Sequence, residues 1–294
     1  MPDAEKPVAY AKEEVDKIKT IFKQLDSNGD GCISFEEIRD LLTKCAGADG
    51  SGLADEDLMK LYTKMDTNSN GKIEFGEFVD YLCREATAHL IMLSQSLRLQ
   101  ITGGRKDAIV VCVVGSVKFS CDDTEELVVA TVKALQESAS WGDLVFVTGG
   151  NSGVQDTWAR AVGDAKKLYQ IMPEGKQSGY ALGKDLTGGA TPEERQMVIG
   201  SVGDVYICFE GGPGVAKEAR VAFGRGAALV PMIRTGGASG GMFDFPAAAL
   251  TCTQSGAQEL FAKLSDKASV PDSAKAAAHF TLALGREVAA ARAS

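Results

Sequence analysis

Histidine is almost missing from this chain: His89 and His279 are the only two in 294 residues. A Ser–His–Asp relay or a His-ligated zinc site therefore lacks its central residue, and both histidines fall in helical stretches where a structural role is expected. The seven cysteines, at 32, 45, 83, 112, 121, 208 and 252, form no CxxC pair, so the spacing of zinc ribbons and dithiol redox motifs is absent. Scattered thiols of this kind fit a reduced, cytoplasmic or other intracellular compartment. Cys112 and Cys208 stand in apolar runs, where a thiol acts as a small hydrophobe. No apolar run reaches the roughly 18 residues of a membrane span, and MPDAEKPVAY lacks the apolar core of a signal peptide. Basic residues do not cluster, so nucleic acid is not an expected partner. The net charge is −9, and seven of those nine charges belong to residues 1–100. The length accommodates two domains.

The acidic portion contains two twelve-residue stretches, DSNGDGCISFEE from Asp26 and DTNSNGKIEFGE from Asp66. Each has an oxygen-bearing side chain at positions 1, 3 and 5, glycine at 6, isoleucine at 8 and glutamate at 12. Ca²⁺ takes six to eight oxygens at about 2.3–2.6 Å, and a short loop wraps it by using alternate residues with a sharp glycine turn midway. The first loop offers Asp26, Asn28, Asp30, the carbonyl of Cys32, Ser34 through a bridging water, and bidentate Glu37. The second offers Asp66, Asn68, Asn70, the carbonyl of Lys72, Glu74 and Glu77. Gly31 and Gly71 make the turns. These loops resemble the EF-hand at every required position, as in a calmodulin-like lobe, and the resemblance implies two Ca²⁺ sites of sensor-range affinity, roughly 10⁻⁷ to 10⁻⁵ M.

The flanks carry helical periodicity. Val15, Ile18, Ile21, Phe22 and Leu25 mark the helix entering loop one, and Phe35, Ile38, Leu41 and Leu42 the helix leaving it. Leu58, Leu61, Tyr62 and Met65 enter loop two; Phe75, Phe78, Val79 and Leu82 leave it. The loops start 40 residues apart, so Ile33 and Ile73 are expected to face each other in a short strand bridge. An EF-hand pair over 1–88 is followed by a helical linker, 89–104, that breaks at Thr102-Gly103-Gly104. Its apolar residues (Leu90, Ile91, Leu93, Leu97, Leu99 and Ile101) admit two roles. They fill the groove that calcium opens in sensor hands, or they form a rigid connector packed on the second domain.

From 105 to 294 the texture is strand alternating with helix. AIVVCVVGS (108–116) reads as a buried parallel strand, and LVFVTGG (144–150), LYQIM, VYICFEGG (205–212) and AALVPMI (227–233) as further strands. Helices are expected near 123–138, 155–166, 191–202, 213–224, 256–265 and 272–292. That alternation predicts a doubly wound parallel sheet, in which ligands bind beyond the carboxyl ends of the strands where the strand order reverses. Three strands end in small residues: Gly115-Ser116, Gly149-Gly150 and Gly211-Gly212-Pro213-Gly214. Glycine lets an anion approach the unpaired N–H groups of a helix start, so these turns are candidate phosphate cradles. Neither GxxxxGK[ST] nor GxGxxG is present.

The segment ERQMVIGSVGDVYICFEGGPGVAKE (194–218) resembles the signature of the LOG, or lysine-decarboxylase-like, proteins within the SLOG group of Rossmann-like domains. GGNSGVQD (149–156) resembles the family's other glycine turn, and Gly115-Ser116 its first. The fold class expected is thus α plus α/β: a two-EF-hand helical lobe followed by a doubly wound parallel-sheet, SLOG-type domain. The resemblance implies a substrate-orienting Arg195, a catalytic Glu218, and phosphate contacts from Gly115, Ser116, Gly149, Gly150, Gly153, Gly211, Gly212, Gly214 and Val215. LOG enzymes hydrolyse the N-glycosidic bond of nucleoside 5′-monophosphates, and a carboxylate suits that oxocarbenium-like chemistry. They commonly pair, which implies a homodimer.

The departures are specific. Glu210 replaces the proline of the family's PGGxGT, Val215 replaces its threonine, and Asp156 puts a carboxylate in a helix's first turn. EGGPG also resembles the SLOG-like domain of TRPM channels, which senses nucleotide-derived ligands without hydrolysing a monophosphate. Trp158, Phe243 and Phe245 are candidates to stack on a base or to pack the core. Glu194 and Asp204 are expected as solvated helix-end residues. TGGASGGMFDFP (235–246) is expected as a flexible loop, either a lid or plain surface. Three functions follow as expectations: a calcium-binding regulator coupled to a nucleotide- or sugar-phosphate-binding domain, a calcium-regulated phosphoribohydrolase, and a calcium-dependent protein-interaction module.

Overall fold

The computed structural model describes residues 12–45, 54–252 and 254–293; the side chains of 12–17, 42–45, 83 and 293 lie outside that description, as do residues 1–11. Val15, Leu42, Cys45 and Cys83 are thus placed only as backbone. The chain divides into two compact units, one ending at His89 and the other beginning at Leu90.

The first unit comprises α1 (Lys12–Leu25), β1 (Cys32–Ile33), α2 (Phe35–Cys45), α3 (Asp55–Met65), β2 (Ile73–Glu74) and the first half of α4 (Phe75–Thr102). β1 and β2 pair antiparallel with Ile33 opposite Ile73, and both isoleucines are fully buried. Phe22 of α1 meets the rings of Phe75 and Phe78 edge-on, at 5.2 and 5.6 Å between centroids. Ile21 instead faces outward, 46% exposed. The buried stripe of α1 is Ile18, Phe22 and Leu25, and Ile21 stands at its edge, about 100° of helix from Phe22.

The second unit is a three-layer α/β/α structure. Its strands are β3 (Ile109–Gly115), β4 (Leu144–Thr148), β5 (Leu168–Met172), β6 (Lys184–Thr187), β7 (Val205–Phe209) and β8 (Ala228–Met232). They form one sheet in the order β6-β5-β4-β3-β7-β8, parallel throughout. Ile109, Val111 and Val113 point to a core shared with α5 (Thr124–Gln136), α6 (Val154–Val162) and α10 (Val270–Ala293). Val110, Cys112 and Val114 point to the opposite core, shared with α4, α7 (Pro192–Val202) and α8 (Pro213–Gly224). Burial on both faces is why β3 is apolar at every position. Cys112 and Cys208 pack there as hydrophobes, fully buried; burial pushes the Cys112 thiol up to about 12. A short helix, α9 (Gln258–Ala262), precedes α10.

β6 was not anticipated, because KDLT has one apolar residue; as an edge strand it buries only Leu186. α6 stops at Val162 instead of near 166, because Gly163 adopts a left-handed φ of 66° and caps it,. Asp204 is not a solvated helix end. It is 2% exposed and accepts from Arg98 Nη2 at 2.6 Å, from Val110 N at 2.9 Å and from Arg292. Burial raises its carboxyl against the pull of Arg98.

That ion cluster ties α4, β3 and α10 together. On α4, Leu97 and Ile101 are buried in the sheet core and Leu90 and Leu93 pack against it, so the apolar stripe of the linker is occupied as a connector. Ile91, Met92 and Leu99 face solvent. Replacing Asp204 with alanine leaves two guanidinium groups without their buried partner. The expected cost is about 3 kcal/mol, read as a lower urea midpoint for tryptophan emission.

Candidate functional site

Both twelve-residue loops are closed by hydrogen bonds from their own backbone amides to the expected ligand carboxylates. In the first, Asp26 accepts from Asp30 N (3.1 Å) and Gly31 N (2.9 Å), and Asn28 Oδ1 accepts from Asp30 N at 2.7 Å. Glu37 Oε1 accepts from Ser27 N and Asn28 N, and its Oε2 from Ser34 N and Oγ. Burial works against the Glu37 anion, yet these donors outweigh it and hold the carboxyl down at about 2. The second loop repeats the pattern: Asp66 on Asn70 N and Gly71 N, Asn70 Oδ1 on Lys72 N, and Glu77 on Thr67 N, Asn68 N and Glu74 N. Gly31 and Gly71 have φ of 84° and 77°, the left-handed turn that position 6 requires.

Tyr62 joins the loops, its hydroxyl 3.1 Å from the carbonyl of Ile33 and 2.8 Å from that of Gly71. Lys72 reaches the first loop's Asp30 at 3.2 Å; both are exposed, and such a pair contributes little. Among the described residues, no three acidic, imidazole or thiol side chains converge into a metal cluster by themselves. The donor set is that of a hard cation nonetheless, since amide, hydroxyl and carbonyl oxygens complete it. Asp26, Asn28, Asp30, Cys32, Ser34 and Glu37, with their six counterparts in the second loop, fit Ca²⁺.

In the second unit the strand order reverses between β3 and β7, the place where a doubly wound sheet is expected to bind its ligand. The three glycine turns meet at that edge. Val154 N donates to Ser116 O at 3.1 Å, and a Cβ on Gly153 would stand 2.5 Å from the same oxygen. Gly115 packs against Val154, where a Cβ would meet that side chain at 2.7 Å. The 149–153 turn is braced by buried Gln155, whose Oε1 accepts from Gly149 N and Asn151 N. Gly150 lies against Met172 and Ser178. Asp156, in the first turn of α6, pairs with Arg160 at 3.1 Å.

The turn at Gly212 is different. It caps α8 with no side-chain hydrogen bond, and the first turn of α8 has no acidic residue. A Cβ on Gly212 would meet nothing within 4 Å, whereas Gly211 is filled by Val215 and Gly214 faces Gln196. Arg195 reaches this region from α7, held by Nη1 on Gly149 O at 2.7 Å; its Nε is buried with no hydrogen-bond partner. One turn into α8, Glu218 is 4% exposed, and no hydrogen bond from a described residue reaches its carboxylate. Burial raises it to about 7, with Arg195 and Lys217 pulling the other way. Gly200 lets α7 and α8 approach, since a Cβ there would stand 3.0 Å from Glu218 O.

The remaining candidates separate cleanly. Trp158 and Phe245 are core residues, and Phe243 is exposed. Glu194 accepts from Ala190 N at the start of α7. Segment 235–246 is not a flexible lid at its base: Ala238 and Ser239 are buried, and their amides donate to Gly211 O and Glu210 O at 2.8 and 3.0 Å. What the sequence did not indicate is where Glu210 goes. It is 2% exposed and accepts from Ser116 Oγ, Ser120 N, Cys121 N and Thr124 Oγ1. Ser116 is therefore engaged by the chain itself.

Two predictions follow from these carboxylates. Glu218 binds its proton more tightly folded than unfolded, so its protonation stabilises the fold. Stability falls as pH rises from about 4.5 to about 7, by up to about 3 kcal/mol. Glu218→Gln should flatten that slope in urea titrations followed by tryptophan emission. In the loops, Glu37→Gln or Glu77→Gln should each weaken the calcium affinity of its own loop about tenfold or more, measured by titration calorimetry.

Comparisons with known proteins bear on the first unit. Residues 15–83 match the family model of an EF-hand domain pair. No curated protein matches the chain. Among solved structures, the X-ray structure of the structural-genomics target TM1055 is similar at 24% identity and TM-score 0.38, covering 45% of this chain and 78% of that one. DNA processing protein A from Helicobacter pylori, a single-stranded DNA-binding protein, is similar at 16% identity and TM-score 0.31, covering 42% and 64%. At these TM-scores neither likeness bears on function. The chain carries an EF-hand pair at residues 15–83, which implies calcium binding, ahead of a Rossmann-like parallel-sheet domain.

Proposed function

We propose that this protein is a calcium-binding regulator in which two EF-hand sites act on a second domain that binds a nucleotide-like or sugar-phosphate ligand. Support for calcium is the repeated carboxylate and amide geometry of both loops. The ligand site is the crevice at Gly149, Arg195, Gly212–Val215 and Glu218. One observation carries it: among the described residues no donor reaches the carboxylate of buried Glu218, which lies near an arginine whose Nε is also unpartnered, one turn into a helix whose start is open and has no side-chain cap. A buried charge and a buried donor left unpaired are costly, and a phosphorylated ligand with hydroxyl groups would satisfy both. Helix α4 carries Glu77 in its first turn and Ile101 in its last.

A second reading is favoured by the carboxyl of Glu218 near 7. A carboxyl poised near neutrality serves as general acid or base, which suits hydrolysis of a nucleoside 5′-monophosphate at its N-glycosidic bond. Incubating the full chain with nucleoside monophosphates, with and without calcium, separates the readings. Regulation without catalysis predicts ligand-induced thermal stabilisation that changes with calcium and no free base. Hydrolysis predicts base release that Glu218→Gln abolishes. Neither stabilisation nor release would remove both and leave a calcium-dependent protein-interaction module.

A further inference from the structure

Glu210 sits at the point where the sheet reverses its strand order, the place a ligand anion ordinarily occupies in such folds. Its carboxylate accepts from four groups, three in the turn after β3 and one on the first residue of α5. Two are backbone amides, Ser120 N at 3.0 Å and Cys121 N at 2.9 Å; two are hydroxyls, Thr124 Oγ1 at 2.6 Å and Ser116 Oγ. Consecutive amides converging on one point make an anion-binding nest.

The chain maintains this contact at a cost. Glu210 has a φ of 49°, in the left-handed region that a side chain other than glycine, asparagine or aspartate rarely takes. Thr235 Oγ1 accepts from its N–H and Ser239 N donates to its carbonyl, so the backbone is clamped on both sides. Asp123, at the N-cap of α5, does not cap the helix; its carboxylate is taken by buried Arg234. The donors ahead of α5 are thereby left to Glu210.

We propose that the β3–α5 turn is an anion site whose resident ligand is the Glu210 carboxylate, and that this carboxylate limits the ligand of the adjoining crevice to one phosphoryl group. The second half rests on the proposed function. Glu210 is covalently followed by Gly211 and the open Gly212 turn, and Ser116 is bonded to the 149–153 turn through Val154. A pyrophosphate lying across these turns would set its second phosphoryl group against Glu210. A single phosphoryl group at the start of α8 would not. Glu210 is thus a specificity-determining residue that neither touches the reacting atoms nor resembles the glycine-rich surroundings.

Chemical rescue tests the site in the full chain. Both tryptophans, Trp141 and Trp158, belong to the second unit, so their emission follows its unfolding without the EF-hand pair. Glu210→Ala should melt below wild type and recover saturably with sodium acetate or phosphate, but not with chloride at equal ionic strength. Equal responses of variant and wild type to all three salts would overturn the anion site. The isosteric Glu210→Gln, which keeps the volume, supplies the second measurement: inorganic pyrophosphate should bind it about tenfold tighter than wild type, with inorganic phosphate unchanged. Equal pyrophosphate affinity would overturn the selectivity. Rescue of Glu210→Ala with neither phosphate nor pyrophosphate binding to wild type or Glu210→Gln would remove the ligand crevice while leaving the anion site standing.

Discussion

A buried carboxylate must find donors, and the bonds that Glu210 makes organise the carboxyl edge of the sheet. From the end of β7 it gathers the turn after β3, while its own backbone is held by the segment after β8. Three strand ends are thereby fastened at one residue. The 149–153 turn joins them through Ser116, and Arg195 joins through Gly149. At the start of α8 there is space beside Gly212 and no side-chain cap.

The same side chain does opposite work elsewhere in the molecule. Glu37 is surrounded by backbone and hydroxyl donors, and they hold its anion at about 2 in spite of burial. Glu218 is buried with an arginine near it but no hydrogen-bond donor among the described residues, and desolvation takes it to about 7. Donors to the charged form and loss of water push in opposite directions. In the EF-hand loops the outcome is a standing anion suited to a divalent cation. In the crevice it is a carboxyl able to give or take a proton near neutrality.

Much of the fold was legible because both units advertise themselves through periodicity. The loop spacing located Ile33 opposite Ile73, and the all-apolar text of β3 and β7 marked strands covered on both faces. Fidelity dropped where one residue carries the structure. β6 has only Leu186 to announce it, and α6 ends early through a single left-handed glycine. Of the candidate site, Arg195 and Glu218 were named from a motif, and the structure places them on helices α7 and α8, which Gly200 lets approach closely. The exposed face of Ile21 and the burial of Asp204 went unread because each depends on which neighbour lies across the element.

By itself the sequence determined the EF-hand pair, the parallel sheet and the positions of the glycine turns, since each follows from spacing along the chain. Tertiary structure alone decided the fate of the lone charges. Asp204 finds Arg98 from over a hundred residues away, and Glu210 finds amides some ninety residues earlier. Local pattern cannot foresee such partners, because a buried charge is satisfied by whatever the fold brings near it.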